Sequence, residues 1–100
     1  MEKSQSKCAV IGYGSWATAI VKIFAENGVR VAWHIRNLEV LASVREEGRN
    51  CKYLRDVDLD TSRMELSDDI NTVVRDADTV VMAMPLALEV QTFVTFPPRA

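Results

Sequence analysis

The sequence predicts an α/β fold, a doubly wound parallel sheet of about four strands in the order 3-2-1-4, and three observations carry that prediction. An apolar run, Lys7-Cys8-Ala9-Val10-Ile11, breaks at Gly12-Tyr13-Gly14 and restarts with a helical period. A second run rich in β-branched and aromatic residues, Val29 to Ile35, follows Asn27-Gly28. A third, Asp78 to Met84, is apolar almost throughout, as a strand is when helices cover both faces of its sheet. Strands alternating with helical patterns make parallel sheets with right-handed crossovers.

Taken in order, the first helix carries Trp16, Ala19, Ile20, Ile23 and Phe24 at i, i+3, i+4, i+7 and i+8, the spacing of one apolar stripe. Gly28 suits the left-handed position beyond its end. Trp33, by alternation along the second strand, is expected in the core. Asn37 can cap a helix in which Leu38, Leu41 and Val44 face inward and Gly48 marks the end. Arg45 to Asp60 is polar, interrupted by Tyr53-Leu54, and reads as the end of that helix followed by a loop. Ser62 to Leu66 alternates like a short strand, and Ser67 or Asp68 can cap a helix containing Ile70, Val73 and Val74. Met82 and Met84 are expected core fillers, and Pro85 stops the last strand. Residues 1–6 are expected as a flexible N-terminus, 7–91 as the domain, and 92–100, with Phe93, Phe96 and Pro97-Pro98, as an atypical tail. The 3-2-1-4 order leaves Thr79 to Met84 on a sheet edge, so self-association through an exposed edge is expected.

One hundred residues with 48% hydrophobic content fit one domain with a modest core. The net charge of −2 and scattered lysines and arginines give no basic field, so nucleic acid is not an expected partner. No apolar run has the length of a membrane span, and Met1 to Lys7 lacks the apolar core of a secretory signal, so a cytoplasmic location is expected. The two cysteines make no disulfide framework: Cys8 reads as a small core residue and Cys51 as an exposed thiol. One histidine and unpaired cysteines give no metal-ligand set.

Gly12, Gly14 and Ala17 occupy the three small-residue places of a dinucleotide fingerprint. The first permits a tight turn, the second lets backbone approach a pyrophosphate, and the third lets helix and strand pack closely. The first helical turn offers amide groups and the positive end of its dipole to a phosphate. This makes the predicted sheet Rossmann-type, with a dinucleotide as the expected ligand. Beyond the second strand, where an acidic residue would accept from a ribose hydroxyl, the chain has His34 and Arg36. A cation there inclines the expectation towards NADP over NAD, although an arginine can also stack beneath adenine in an NAD site. His34 reads as a surface or lightly packed ring.

These residues resemble the bacterial-type NAD(P)-dependent glycerol-3-phosphate dehydrogenases. Ala9-Val10-Ile11-Gly12-Tyr13-Gly14-Ser15-Trp16-Ala17-Thr18-Ala19 is similar to that family's A-V-I-G-x-G-S-W-G-T-A signature, with Ser15-Trp16 the specific part. Asn50-Cys51-Lys52-Tyr53-Leu54 resembles the family's Asn-x-Lys-Tyr-Leu loop, and Ala83-Met84-Pro85 its Ala-x-Pro. The resemblance implies that Ser15 and Trp16 contact the pyrophosphate and nicotinamide end, that Arg36 meets the adenosine 2′-phosphate or ribose, and that Tyr53 and Pro85 border the cofactor. Ala17 stands where the family more often has glycine, and Leu86 where it usually has serine. The resemblance further implies a substrate, dihydroxyacetone phosphate or glycerol 3-phosphate, handled by the complete enzyme in glycerolipid precursor synthesis. The family's Lys-Gly strand and its helical catalytic domain with a general acid–base lysine are not among these 100 residues. A truncated, frame-shifted or fragmentary product, inactive alone, is the expectation. The alternatives are a non-catalytic dinucleotide-binding module and a fragment of another two-domain reductase.

Overall fold

A buried parallel strand needs side chains that fill both faces of the sheet, and Ala9, Val10 and Ile11 do so at the centre of this molecule. The structure, a computed structural model, describes residues 7–83 and the backbone of 92–94. Strand β1 (Lys7–Ile11) leads into helix α1 (Ser15–Glu26), strand β2 (Arg30–His34) into α2 (Leu38–Glu47), and β3 (Met64–Ser67) into the short α3 (Ile70–Val74). Strands β4 (Thr79–Met82) and β5 (Thr92–Val94) complete the sheet, whose order is β3-β2-β1-β4-β5. The first four strands pair in parallel, in the expected 3-2-1-4 order.

Strand β5 is a correction. It runs antiparallel to β4, pairing Val80 with Val94 and Met82 with Thr92, so β4 is not the edge and the edge passes to part of the expected tail. Met84, Pro85 and Leu86 lie outside the described residues.

Two apolar layers flank the sheet. On one face Val10, Val31, Trp33 and Val81 pack with Ala17 and Val21 of α1 and Val40, Leu41 and Val44 of α2. On the other, Ala9, Ile11, Ala32 and Val80 pack with Val73 of α3 and with Ala77. Met82 packs against this second layer, as a core filler should. Helices on both faces are what a doubly wound connection produces.

The face that α1 turns to the sheet lies to one side of its apolar stripe. Ala17, Thr18 and Val21 are buried, whereas Trp16 is 53% and Ile23 57% exposed. Ile20 and Phe24 lie between these extremes, packed partly against the core. Each residue turns a helix by about 100°, and close approach to β1 selects the small side chain of Ala17 as the centre of contact. The apolar stripe is therefore wider than the buried strip. Trp16, Ile20, Ile23 and Phe24 line an apolar groove with Val81.

Helix α2 is capped as expected: the Asn37 side chain accepts from the Val40 amide at 3.0 Å, and Gly48 closes the helix with φ 71°. A side chain at Gly48 would also meet the Leu59 carbonyl oxygen at 3.1 Å. Leu38, however, is 65% exposed, because the first helical position flanks the face that Val40, Leu41 and Val44 bury. The cap of α3 is Asp69, not Ser67 or Asp68; its carboxylate accepts from the Asn71 amide at 2.9 Å, and Ser67 instead accepts from the Asp69 amide. Ile70 is exposed in consequence, leaving Val73 as the anchor.

Both cysteines are half-buried. Cys51 packs partly against the core instead of standing exposed, because the loop that carries it folds back over α2. Burial, and then the charge of Asp78, push the Cys8 thiol pKa up. A raised folded pKa means the unfolded chain releases a proton that the folded chain keeps, so stability is lost as pH climbs from the ordinary thiol pKa through the folded one. Cys8→Ala is expected to flatten the fall in melting temperature above about pH 8.5. An unchanged slope in thermal scans would contradict that.

Candidate functional site

The chain leaves β1 through Gly12, whose φ of 122° belongs to a region that side-chain-bearing residues rarely adopt. Gly14 then caps α1 in an extended conformation, φ −79° and ψ −166°, with no side-chain cap. An added Cβ at Gly14 would meet nothing within 4 Å. No protein neighbour demands a glycine there, so its bareness leaves room beside the first turn of α1, whose leading N–H groups have no partner within the helix. That turn contains no acidic residue to compete for them.

A cleft of about 490 Å³ opens at this point, lined by Ile11, Gly12, Tyr13, Gly14, Ser15, Trp16, His34, Arg36, Tyr53 and Ala83. These residues come from the carboxyl ends of β1, β2 and β4 and the segments just beyond them, from the first turn of α1 (Ser15 and Trp16), and, for Tyr53, from the loop after α2. In an open α/β sheet that is the crevice where connections depart to opposite sides. Of the expected site residues, Gly12, Gly14, Ser15, Trp16, Arg36 and Tyr53 meet here. Ala17 does not line the cleft: it is fully buried against the sheet, the packing place of the third small residue. Pro85 lies outside the described residues.

Two aromatic rings from distant parts of the chain, Tyr13 and Tyr53, approach to 6.3 Å between centroids at 60°. Among the described residues Arg36 has no ion pair, so its guanidinium is available at the β2 end of the cleft. Nearby Lys52 is instead paired with Glu39 at 3.2 Å.

Three features escaped sequence reasoning. His34 lines the cleft, and its Nε2 lies 3.2 Å from the Asp68 carbonyl oxygen; its place as the last residue of β2 was the available signal. Trp33 is core, as expected, but its indole also donates to the Gly12 carbonyl at 2.6 Å and so fastens the glycine turn to β2. Asn50 is wholly buried beneath the same turn. Among the described residues no His, Cys, Asp and Glu side chains group to hold a metal ion, and no helix is long and apolar enough to cross a membrane.

Four parallel strands in 3-2-1-4 order within the sheet, with a glycine turn and an open helix start at the crevice, define a Rossmann-type domain. Residues 7–95 match the family model described as NAD-dependent glycerol-3-phosphate dehydrogenase N-terminus, and the chain belongs to that family. The glycerol-3-phosphate dehydrogenase [NAD(P)+] of Staphylococcus saprophyticus is 38% identical over 80 residues, which are 80% of this chain and 24% of that protein. The enzyme of the same description from Lactococcus lactis is 33% identical over 79 residues, 79% of this chain and 23% of the relative. The chain thus spans about a quarter of the length of these relatives. In fold it is similar to the crystal structure of glycerol-3-phosphate dehydrogenase from Coxiella burnetii, with a TM-score of 0.73 at 21% identity over 81% of this chain and 25% of that one. A diketoreductase structure is similar at a TM-score of 0.58 and 20% identity, over 87% of this chain and 34% of that one.

Proposed function

We propose that this chain is the cofactor-holding part of a glycerol-3-phosphate dehydrogenase and binds NADP(H) or NAD(H) in the cleft between Gly14, Trp16, Arg36 and Tyr53. The observation that carries the reading is the open space at Gly14 beside the first turn of α1, at the carboxyl ends of the central strands. A diphosphate fits there because the amides of the turn and the helix start can donate to it while the helix dipole favours its charge. Ser15 adds a hydroxyl and Trp16 an exposed indole at the same end. Arg36 meets the adenosine 2′-phosphate or ribose, and Tyr53 closes the cleft from the loop side.

When bound, the nicotinamide supplies or accepts a hydride. This chain's residues bind and orient the dinucleotide, and none of them is assigned the accompanying proton transfer. In the complete enzyme the substrate pair is glycerol 3-phosphate and dihydroxyacetone phosphate, and the setting is cytoplasmic. The working unit within these residues is the Rossmann-type domain over 7–91. Self-association through the exposed strand edge would now run through β5.

Titration of the 100-residue chain with NADPH and NADH, followed by calorimetry and Trp16 emission, tests the reading. Saturable binding with quenching is expected, tighter for NADPH, and Arg36→Ala should remove most of the preference. The loss of one charge-assisted phosphate contact corresponds to about tenfold in affinity. No saturable response to either nucleotide in a folded sample would refute the reading. Dihydroxyacetone phosphate with NADPH should give no turnover with this chain.

A further inference from the structure

The side chain of Asn50 has no exposure to solvent, and its amide makes as many hydrogen bonds as a primary amide can. Nδ2 donates to the Tyr13 carbonyl at 2.8 Å and to Thr18 Oγ1 at 2.9 Å. Oδ1 accepts from the Lys52 amide at 2.9 Å and the Tyr53 amide at 3.0 Å. Thr18 Oγ1 passes the link on, donating to the Gly14 carbonyl at 2.8 Å. One side chain therefore joins the glycine turn, the start of α1 and the backbone that carries Tyr53.

Peptide units are planar and trans, so a carbonyl and the N–H that follows it point in opposite directions. Drawing the Tyr13 and Gly14 carbonyls inward, towards Asn50 and Thr18, turns the Gly14 and Ser15 amides outward. Those are the amides beside the cleft. The other half of the Asn50 amide fixes the backbone at Tyr53, whose ring stands against Tyr13. Immediately after it Leu54 adopts φ 53°, a left-handed conformation that a branched residue does not choose unaided. The loop shape is thus imposed by its anchors.

We propose that Asn50 is a positioning residue of the dinucleotide cleft, aiming the glycine-turn amides and seating Tyr53 through a single buried amide before ligand arrives. The inference rests on the reading of the cleft as a dinucleotide site. Its own content is that the phosphate-facing amides and the Tyr53 wall are set by one residue outside the fingerprint. Asn50→Asp keeps the acceptor half and the size but faces a carboxylate towards the Tyr13 carbonyl. Thr18→Val keeps shape and cuts only the link between Asn50 and Gly14.

The test is NADPH titration of the unaltered 100-residue chain, Asn50→Asp, Thr18→Val and Val44→Ala, with amide exchange at Lys52 and Tyr53 and a melting temperature for each. Val44→Ala serves as a destabilised control, because Val44 lies on α2 outside the cleft. The expected results are a loss of at least tenfold in affinity for Asn50→Asp, a smaller loss for Thr18→Val with Lys52 and Tyr53 still protected from exchange, and no loss for Val44→Ala. Native affinity in Asn50→Asp, or an equal loss in Val44→Ala, would overturn the proposal. If Asn50→Asp does not fold, Thr18→Val decides, and native affinity there overturns it. Failure of the unaltered chain to bind NADPH would defeat the dinucleotide reading and this proposal together, a result distinct from binding that is indifferent to Asn50.

Discussion

Replacing Trp33 by alanine should lower the unfolding free energy by about 3–5 kcal/mol, the usual cost of removing a large buried aromatic side chain. Trp33 is fully buried, packs in the layer shared by α1 and α2, and holds the Gly12 carbonyl at 2.6 Å. A domain of this size has roughly 5–15 kcal/mol in all, so the variant should be largely unfolded by modest denaturant. Trp33→Phe keeps a smaller aromatic ring, and beside that loss of volume the Gly12 carbonyl loses its donor, at about 1–3 kcal/mol. Because that carbonyl's orientation sets the Tyr13 amide that follows it, dinucleotide affinity should fall as well. Urea titrations of both variants provide the check, and a Trp33→Phe midpoint equal to the native one would show that the indole bond contributes nothing.

Gly14→Ala should do the reverse, leaving the fold nearly untouched while depressing dinucleotide affinity by tenfold or more. Its φ of −79° and ψ of −166° are open to alanine, and the added methyl meets no protein atom within 4 Å. Exchanging glycine for alanine at a helix N-cap costs less than about 1 kcal/mol. The space the methyl would fill is the space proposed for the pyrophosphate. Gly12→Ala differs, because φ 122° strains any side chain and the loss falls on stability first. Paired melting and binding curves distinguish the two glycines, and unaltered affinity in Gly14→Ala would remove the diphosphate from that position.

Much of the scaffold was legible because its signals are local. The break from Ile11 to Gly12, the cap at Asn37, the left-handed end at Gly48 and the apolar run into Met82 each state their structure within a few residues. The rotation of α1 was not legible, since periodicity locates an apolar stripe but not which edge of it a sheet will press. Trp16 and Ala17 are neighbours in sequence, and only packing decides that the smaller one goes in. Leu38 failed for a similar reason at the opening of α2. Strand β5 is not legible because Thr92-Phe93-Val94, though β-formers, make a run of 3 residues, too short for alternation to show, and their sheet place comes from pairing with β4. In the cleft, Gly12, Gly14, Ser15, Trp16, Arg36 and Tyr53 were all readable from motif and place, and they do converge. Asn50 stands within the loop motif, yet its partners at Tyr13 and Thr18 are distant in sequence and no local pattern announces them.

The position of β1 has a consequence for the order of assembly. The earliest of the five described strands is the central one, flanked by β2 on one side and β4 on the other. Its parallel pairing with β2 can form once the β1–α1–β2 segment has emerged, but its second flank stays open until Met82 has left the ribosome. By then β4 must close a loop enclosing nearly all the intervening chain, an entropic cost that slows such non-local contacts. Strand β5, arriving shortly after β4 and antiparallel to it, offers a rapid local alternative partner. The rate of folding is therefore expected to be governed by the docking of β4, with β5 antiparallel beside it, onto a preassembled β1–α1–β2 segment.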